Sequence, residues 1–353
     1  MRLTERPWLR QVEPYQPGRR AVASDGSMAS NESAIGASPR VLEAVLTATG
    51  QVHRYPDPLA DELRHELAKQ HCVEPDQILV GNGSDELIYL LAWAFLAQTG
   101  TALCADPSYR IDEISTYVVG AKLIGVPLRD WTYDFGAMAR VDADIAYLVN
   151  PHNPTGTTRT RHDIEDFVDH ARAGLVVVDE AYVDFVDDPA MTTAIPLARA
   201  GRVVVLRTLS KAYGLAGLRI GYLVGPAKLV ATLRRIRPPF SVGALAQAGA
   251  LAAIRDLEHF ATVRYKTQCY RAELVQIIEA AGYNSVPSQA NFVLVQAPEE
   301  QALLTRLLDF GIYARPGSEL GIPGTVRITV PSKRGLDLLQ LALPQVRSPP
   351  CRR

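Results

Sequence analysis

Seven short apolar runs constrain this chain more than anything else in it: QILVG (77–81), TALCAD (101–106), KLIGVPL (122–128), DIAYLVN (144–150), GLVVVDE (174–180), RVVVLRT (202–208) and IGYLVG (220–225). Between most of them lie helix-length segments such as DELIYLLAWAFLAQ and RHDIEDFVDHARA. A run of aliphatic residues bounded by turn residues is a strand buried on both faces, and parallel neighbours need a helix-sized crossover to join them. The alternation predicts a doubly wound α/β unit, a mostly parallel sheet flanked by helices. After Pro238 and Pro239 the texture changes to a long helical stretch followed by the strand candidates NFVLVQA, IYARP and VRITV. The expected division is an irregular N-terminal arm over 1–35, a large domain over 36–240 and a smaller α+β domain over 241–353.

The remaining features narrow the function classes by exclusion. Lys and Arg (37) nearly balance Asp and Glu (38), and the net charge of -1 leaves no field that would gather nucleic acid or an anionic membrane. The longest apolar run, LIYLLAWAFLA (87–97), is well short of the ~20 residues of a membrane span and reads as a buried helix. Cys72, Cys104, Cys269 and Cys351 lack C-x-x-C spacing, which predicts no metal site and no disulfide framework. With a polar, proline-containing start in place of a secretory signal, a cytoplasmic setting is expected. RHELAKQH (64–71) has Lys69 where H-E-x-x-H requires histidine, so it reads as a solvated helix face. RRIRPP (234–239) reads as surface, and SPPCRR as a tail.

In such a sheet, ligands collect beyond the carboxyl ends of the strands. Five of these exits carry polar residues: GNGSDE (81–86), DPSY (106–109), NPHNPTG (150–156), DEAY (179–182) and TLSK (208–211). Gly83, Ser84 and Asp85 open a helix, where free amides suit a phosphate; the alternative is Asp85 as a helix cap. The dinucleotide fingerprint fails because position 86 is glutamate. A buried Asp179 needs a cationic partner such as a protonated pyridine nitrogen, with Tyr182 directed at the same ring; otherwise it is a cap beside a core tyrosine. Lys211 leaves an apolar strand in the manner of a Schiff-base lysine, between Ser210 and Arg219, a hydroxyl and a guanidinium suited to phosphate. Asn153 is either a turn residue or a donor to a phenolic oxygen, and Tyr109 either a half-buried tyrosine or a stacking surface.

These pieces, in this order, resemble the fold-type I pyridoxal-phosphate enzymes, and within the class-II aminotransferases among them the histidinol-phosphate aminotransferase family. The likeness runs from PYQPG (14–18), SNES (30–33) and HRYPDP (53–58) through VVVDEAY and RTLSKAYGLAGLRIGY to SQANFVLV (288–295) and VRITV (326–330). The resemblance implies pyridoxal 5'-phosphate as cofactor, with Lys211 as Schiff-base lysine and proton shuttle, Asp179 on the pyridine nitrogen, and Asn153 and Tyr182 on the ring oxygen. It implies Tyr109 against the ring, and Gly83, Ser84, Asp85, Ser210 and Arg219 around the phosphate, with Tyr55 arriving from the second subunit of a homodimer. For the substrate it implies Tyr15, Asn31, Tyr55, Phe240, Arg315 and Arg327.

The implied reaction is amino transfer between an amino-acid or amino-alcohol-phosphate substrate and 2-oxoglutarate, with glutamate as the other amine. NESAIGASP lacks the family's proline after Asn-Glu, His152 precedes Asn153, and Phe240 stands where some relatives have tyrosine. An aromatic amino-acid aminotransferase, or a relative in a specialised pathway, is therefore the second reading. Outside this chemistry stand a nicotinamide-dependent dehydrogenase, disfavoured by the missing third glycine, and a non-catalytic binding protein.

Overall fold

The computed structural model describes residues 4–343; the expected tail SPPCRR and Cys351 lie outside them. Twelve strands are present among the described residues: β1 (Ser27–Met28), β2 (Ile78–Gly81), β3 (Thr101–Asp106), β4 (Lys122–Pro127), β5 (Ala143–Val149), β6 (Ala173–Asp179), β7 (Val204–Thr208), β8 (Gly221–Val224), β9 (Asn284–Val286), β10 (Phe292–Gln296), β11 (Tyr313–Pro316) and β12 (Thr325–Thr329). All seven apolar runs became strands of one sheet, in the order β2-β8-β7-β6-β5-β3-β4. Its neighbours run parallel from β7 to β4, and β8 is antiparallel to both β2 and β7.

Side chains alternate across a strand, so a run with no polar break must fill two cores at once. Val176 and Val178 enter one core with Ala146, Leu148, Val203 and Val205. Val177 enters the other with Ile145, Tyr147, Val204 and Leu206. The helix Gly83–Phe95 closes the second core through Leu87, Ile88, Leu90 and Leu91, which explains the apolar run that is too short for a membrane. No described helix is long and apolar enough to cross a membrane.

A second sheet, β1-β11-β12-β10-β9, has its own core of Met28, Val293, Val295, Val326, Ile328 and the helix residues Leu274, Ile278, Leu303, Leu307, Leu336 and Leu339. Two segments sit across the expected boundaries. Ser27–Met28, from the expected arm, pairs in parallel with β11, because Met28 is apolar enough to be wholly buried there. The helix Ala244–Arg255 lies beyond residue 240, yet its Ala246, Ala250, Ala253 and Ile254 pack into the first core. Its small side chains admit the helix Pro39–Ala48, and Gly249 accommodates Leu218 and Val45.

Strand order reverses between β3 and β5, since β4 lies outside β3 and β6 and β7 lie beyond β5. The crevice at such a reversal is where an open α/β sheet receives a ligand.

Candidate active site

A cavity of about 920 Å³ occupies that position, lined from both sheets and from residues 13–18 and Arg20 of the arm. Of the predicted residues, Tyr15, Asn31, Ser84, Asp85, Tyr109, Asn153, Asp179, Tyr182, Ser210, Lys211, Arg219, Arg315 and Arg327 line it. Gly83 stands just behind, opening the helix Gly83–Phe95, and a Cβ there would meet Arg219 Nη2 at 2.7 Å. Tyr55 and Phe240 are not part of the lining. They stack on each other with ring centroids 4.6 Å apart, and are 83% and 38% exposed.

At the floor, Asp179 ends β6 and is buried, and its carboxylate receives one hydrogen bond among the described residues, from the Ala181 N–H at 3.0 Å. Burial pushes its pKa up to about 7. A cation set against it would reverse that cost. Lys211 leaves the turn after β7 half-buried, donating from Nζ to the Ser30 carbonyl at 3.2 Å, with Nζ 5.8 Å from the Tyr182 ring centroid. Loss of water, and then the nearby Arg327 charge, lower its pKa to about 8. About a tenth of the amine is thus uncharged at pH 7, far more than for an ordinary lysine, and the uncharged amine is the nucleophile toward a carbonyl.

The Tyr182 hydroxyl accepts from Asn31 Nδ2 at 3.1 Å and from Asn153 Nδ2 at 3.4 Å, bringing three polar groups from three segments to one point. Burial raises the phenol to about 12, so it stays protonated. Asp85 is not a helix cap. Its Oδ1 accepts from the Tyr109 hydroxyl at 2.9 Å and its Oδ2 from Arg219 at 3.2 Å. The helix start therefore keeps its amides free of side-chain capping. Thr208 bonds Ser210 twice, through its hydroxyl at 2.9 Å and from the Ser210 N–H at 3.1 Å, setting that side chain in front of Arg219.

On the opposite wall, Arg315 and Arg327 face each other across the β11–β12 register, and both are buried. Arg327 donates to Asn153 Oδ1 at 2.5 Å and to the Ala29 carbonyl at 2.9 Å, while its buried Nε has no partner among the described residues. Arg315 donates to the Gln16 carbonyl at 2.7 Å and pairs with Glu319 at 3.2 Å. Like charges directly opposite on a sheet repel, so this wall is built for an anion.

The donor set fits pyridoxal phosphate. It offers a carboxylate short of partners, an amine of lowered basicity, an uncapped helix start beside a serine and a guanidinium, and a tight approach at Gly83 that a Cβ would close. Thr208 and Glu319 were missed from sequence. A threonine before Leu-Ser-Lys and a glutamate four residues after Arg315 carry no signal until the backbone brings them back. Among the described residues no cluster suited to a metal ion is present.

The family described as aminotransferase class I and II matches residues 26–340. Histidinol-phosphate aminotransferase of Anaeromyxobacter sp. (strain Fw109-5) is 38% identical over 344 residues, covering 93% of this chain and 94% of the relative. The enzyme of the same name from Symbiobacterium thermophilum is 36% identical over 352 residues, covering 95% and 97%. Among solved structures, histidinol-phosphate aminotransferase from Sinorhizobium meliloti in complex with pyridoxal-5'-phosphate aligns with a TM-score of 0.87 at 28% identity, covering 96% of each chain.

Proposed function

Since the chain belongs to the class I and II aminotransferases and is a pyridoxal-phosphate-dependent transaminase, we propose that it moves an amino group between histidinol phosphate and 2-oxoglutarate. The observation that supports an anionic substrate group is the facing pair Arg315 and Arg327, with Glu319 the one carboxylate paired to it among the described residues. A phosphate brings more negative charge and more acceptor oxygens than a carboxylate, and guanidinium forks match it. The distal carboxylate of 2-oxoglutarate would meet the second arginine equally well, so the pair suits both partners of the reaction. The preference for histidinol phosphate over phenylalanine or tyrosine is supported by the relatives at 36–38% identity.

Pyridoxal phosphate supplies a carbonyl that takes up the amino group and a ring that draws electrons from the substrate Cα. Asp179 is proposed to accept a hydrogen bond from the ring N–H, and Asn153 and Tyr182 to donate to the ring oxygen. Ser84 and Gly83 amides, with Ser210 and Arg219, would hold the phosphate, and Asp85 would keep both Tyr109 and Arg219 in place. Lys211 Nζ would take the proton from the substrate Cα and deliver it to the cofactor carbon that receives the amino group, a role suited to an amine whose pKa of about 8 lies near working pH. Tyr15 and Asn31 would close the site over the substrate.

The same reading includes a homodimer in a cytoplasmic setting. Tyr55 and Phe240 are aromatic, stacked and outward-facing, with Leu42, Leu46 and Val52 also exposed. We assign Tyr55 and Phe240 to the partner's cavity. Histidinol phosphate, phenylalanine and tyrosine, each paired with 2-oxoglutarate, test the substrate. Turnover of histidinol phosphate above both is expected, and turnover of phenylalanine with none of histidinol phosphate would sink the assignment.

A further inference from the structure

Glu180 and Arg207 each stand one residue from the cavity lining, on the other side of the strand ends. Side chains alternate along a strand, so Glu180 turns away where Asp179 faces the cavity, and Arg207 turns away where Thr208 faces it. Behind the site the two meet. Arg207 donates through Nε to Glu180 at 2.7 Å, through Nη1 to Asp184 at 3.1 Å and through Nη2 to Thr193 at 3.1 Å. Glu180 also accepts from the Thr193 hydroxyl at 2.9 Å and from the Ala194 N–H. The Glu180 side chain is fully closed off, and those of Arg207 and Asp184 are 12% and 15% exposed.

Stability is a weak reason for such a cluster. Withdrawing the charges from water costs about as much as their attraction returns, and apolar groups of equal volume commonly serve as well. What an apolar patch lacks is direction. A planar guanidinium with three bonds made at once accepts one arrangement of its partners. Those partners belong to the exit of β6, to the turn Val183–Phe185 and to the link between the helices Pro189–Thr192 and Ile195–Arg199, whereas the guanidinium belongs to β7. The Glu180 N–H, donating to the Leu206 carbonyl at 2.9 Å, ties the same two strand ends. Asp179 precedes Glu180 and Tyr182 follows two residues later, while Lys211 comes four after Arg207.

We propose that Arg207 and Glu180 are positioning residues that hold the ends of β6 and β7 so that Asp179, Tyr182 and Lys211 keep their mutual placement around the cofactor. The inference rests on the transaminase reading above. Arg207→Lys keeps the charge and removes the fork. The paired replacement Arg207→Met with Glu180→Leu removes the charge and keeps the volume. Each variant, loaded with pyridoxal phosphate, is compared with the unaltered protein in three ways: melting temperature, the pH at which the visible band of the lysine-bound cofactor titrates, and the rate at which L-glutamate converts that band.

In both variants we expect roughly a tenfold or greater loss of the saturated glutamate rate, with the half-saturating concentration changed less than about threefold. The titration midpoint should move by about half a pH unit or more, with or without a change in melting temperature. A variant that matches the unaltered protein in rate and midpoint overturns the assignment even if it melts earlier, because the cluster is then structural. Failure of both variants to fold overturns it for the same reason. An unaltered protein that takes up no pyridoxal phosphate would instead remove the transaminase reading itself.

Discussion

Burial moves Lys211 and Asp179 off their ordinary titrations in opposite senses, to about 8 and about 7. Lys211→Ala is expected to abolish transamination while leaving the fold, and mass spectrometry after borohydride treatment should find the cofactor on residue 211 of the unaltered protein alone. In the cofactor-free protein, Asp179 binds its proton more tightly folded than unfolded. Its contribution to stability is therefore fully present below about pH 4 and is lost as pH rises to about 7, at up to about 1.4 kcal/mol per unit. Asp179→Asn should flatten that part of the curve, measured by urea unfolding between pH 4 and 7.5. Lys211 acts in a separate window: its folded pKa is depressed, so its penalty stands below about 8 and is relieved as pH climbs toward 10.5. Both residues were legible from sequence, because a charged group at the end of an apolar strand is costly and has few reasons to be there. Thr208, Glu319 and the Glu180–Arg207 pair were not, because each acts through a partner that only folding supplies.

The helix Gly83–Phe95 and the strand β8 meet at Gly221, where a Cβ would lie 2.7 Å from the Ser84 nitrogen, 2.8 Å from the Arg207 oxygen and 2.9 Å from the Gly83 carbonyl carbon. All three are backbone atoms, so none can swing aside as a flexible side chain would. Gly221→Ala is expected to destabilise by about 1–3 kcal/mol through overpacking and to weaken cofactor affinity by shifting the amides of the helix start. Equilibrium unfolding with and without pyridoxal phosphate measures both; an unchanged affinity would remove Ser84 from the proposed phosphate site. Strands of the first sheet were readable because unbroken aliphatic runs leave little else to form. The two residues of β1 were not, since so short a segment becomes a strand by pairing with β11 and has no period of its own.

At the scale of the whole molecule, Tyr55 and Phe240 form an aromatic stack that stands exposed, as do Leu42, Leu46 and Val52, and outward-facing apolar side chains of this size suit an interface. Sedimentation is expected to find twice the 38.5 kDa chain mass. Tyr55→Phe should leave that mass unchanged and weaken pyridoxal phosphate binding by the roughly 1 kcal/mol or more of a lost hydrogen bond to a charged group. A monomer with full activity would refute the assignment of Tyr55 to a partner's site.

The order of apolar runs and the polar residues at their ends were enough to determine the α/β sheet and to single out Lys211 and Asp179, which both line the cavity at its strand ends. Those depend on local pattern: alternation sets burial, and a charge at a buried strand end marks chemistry. The tertiary structure alone decided that Arg315 and Arg327 stand opposite each other, that Asp85 braces Tyr109 and Arg219 instead of capping a helix, and that Ala244–Arg255 joins the first core. The physical reason is that register and packing are contacts between residues far apart in the chain, and no window of sequence contains both partners.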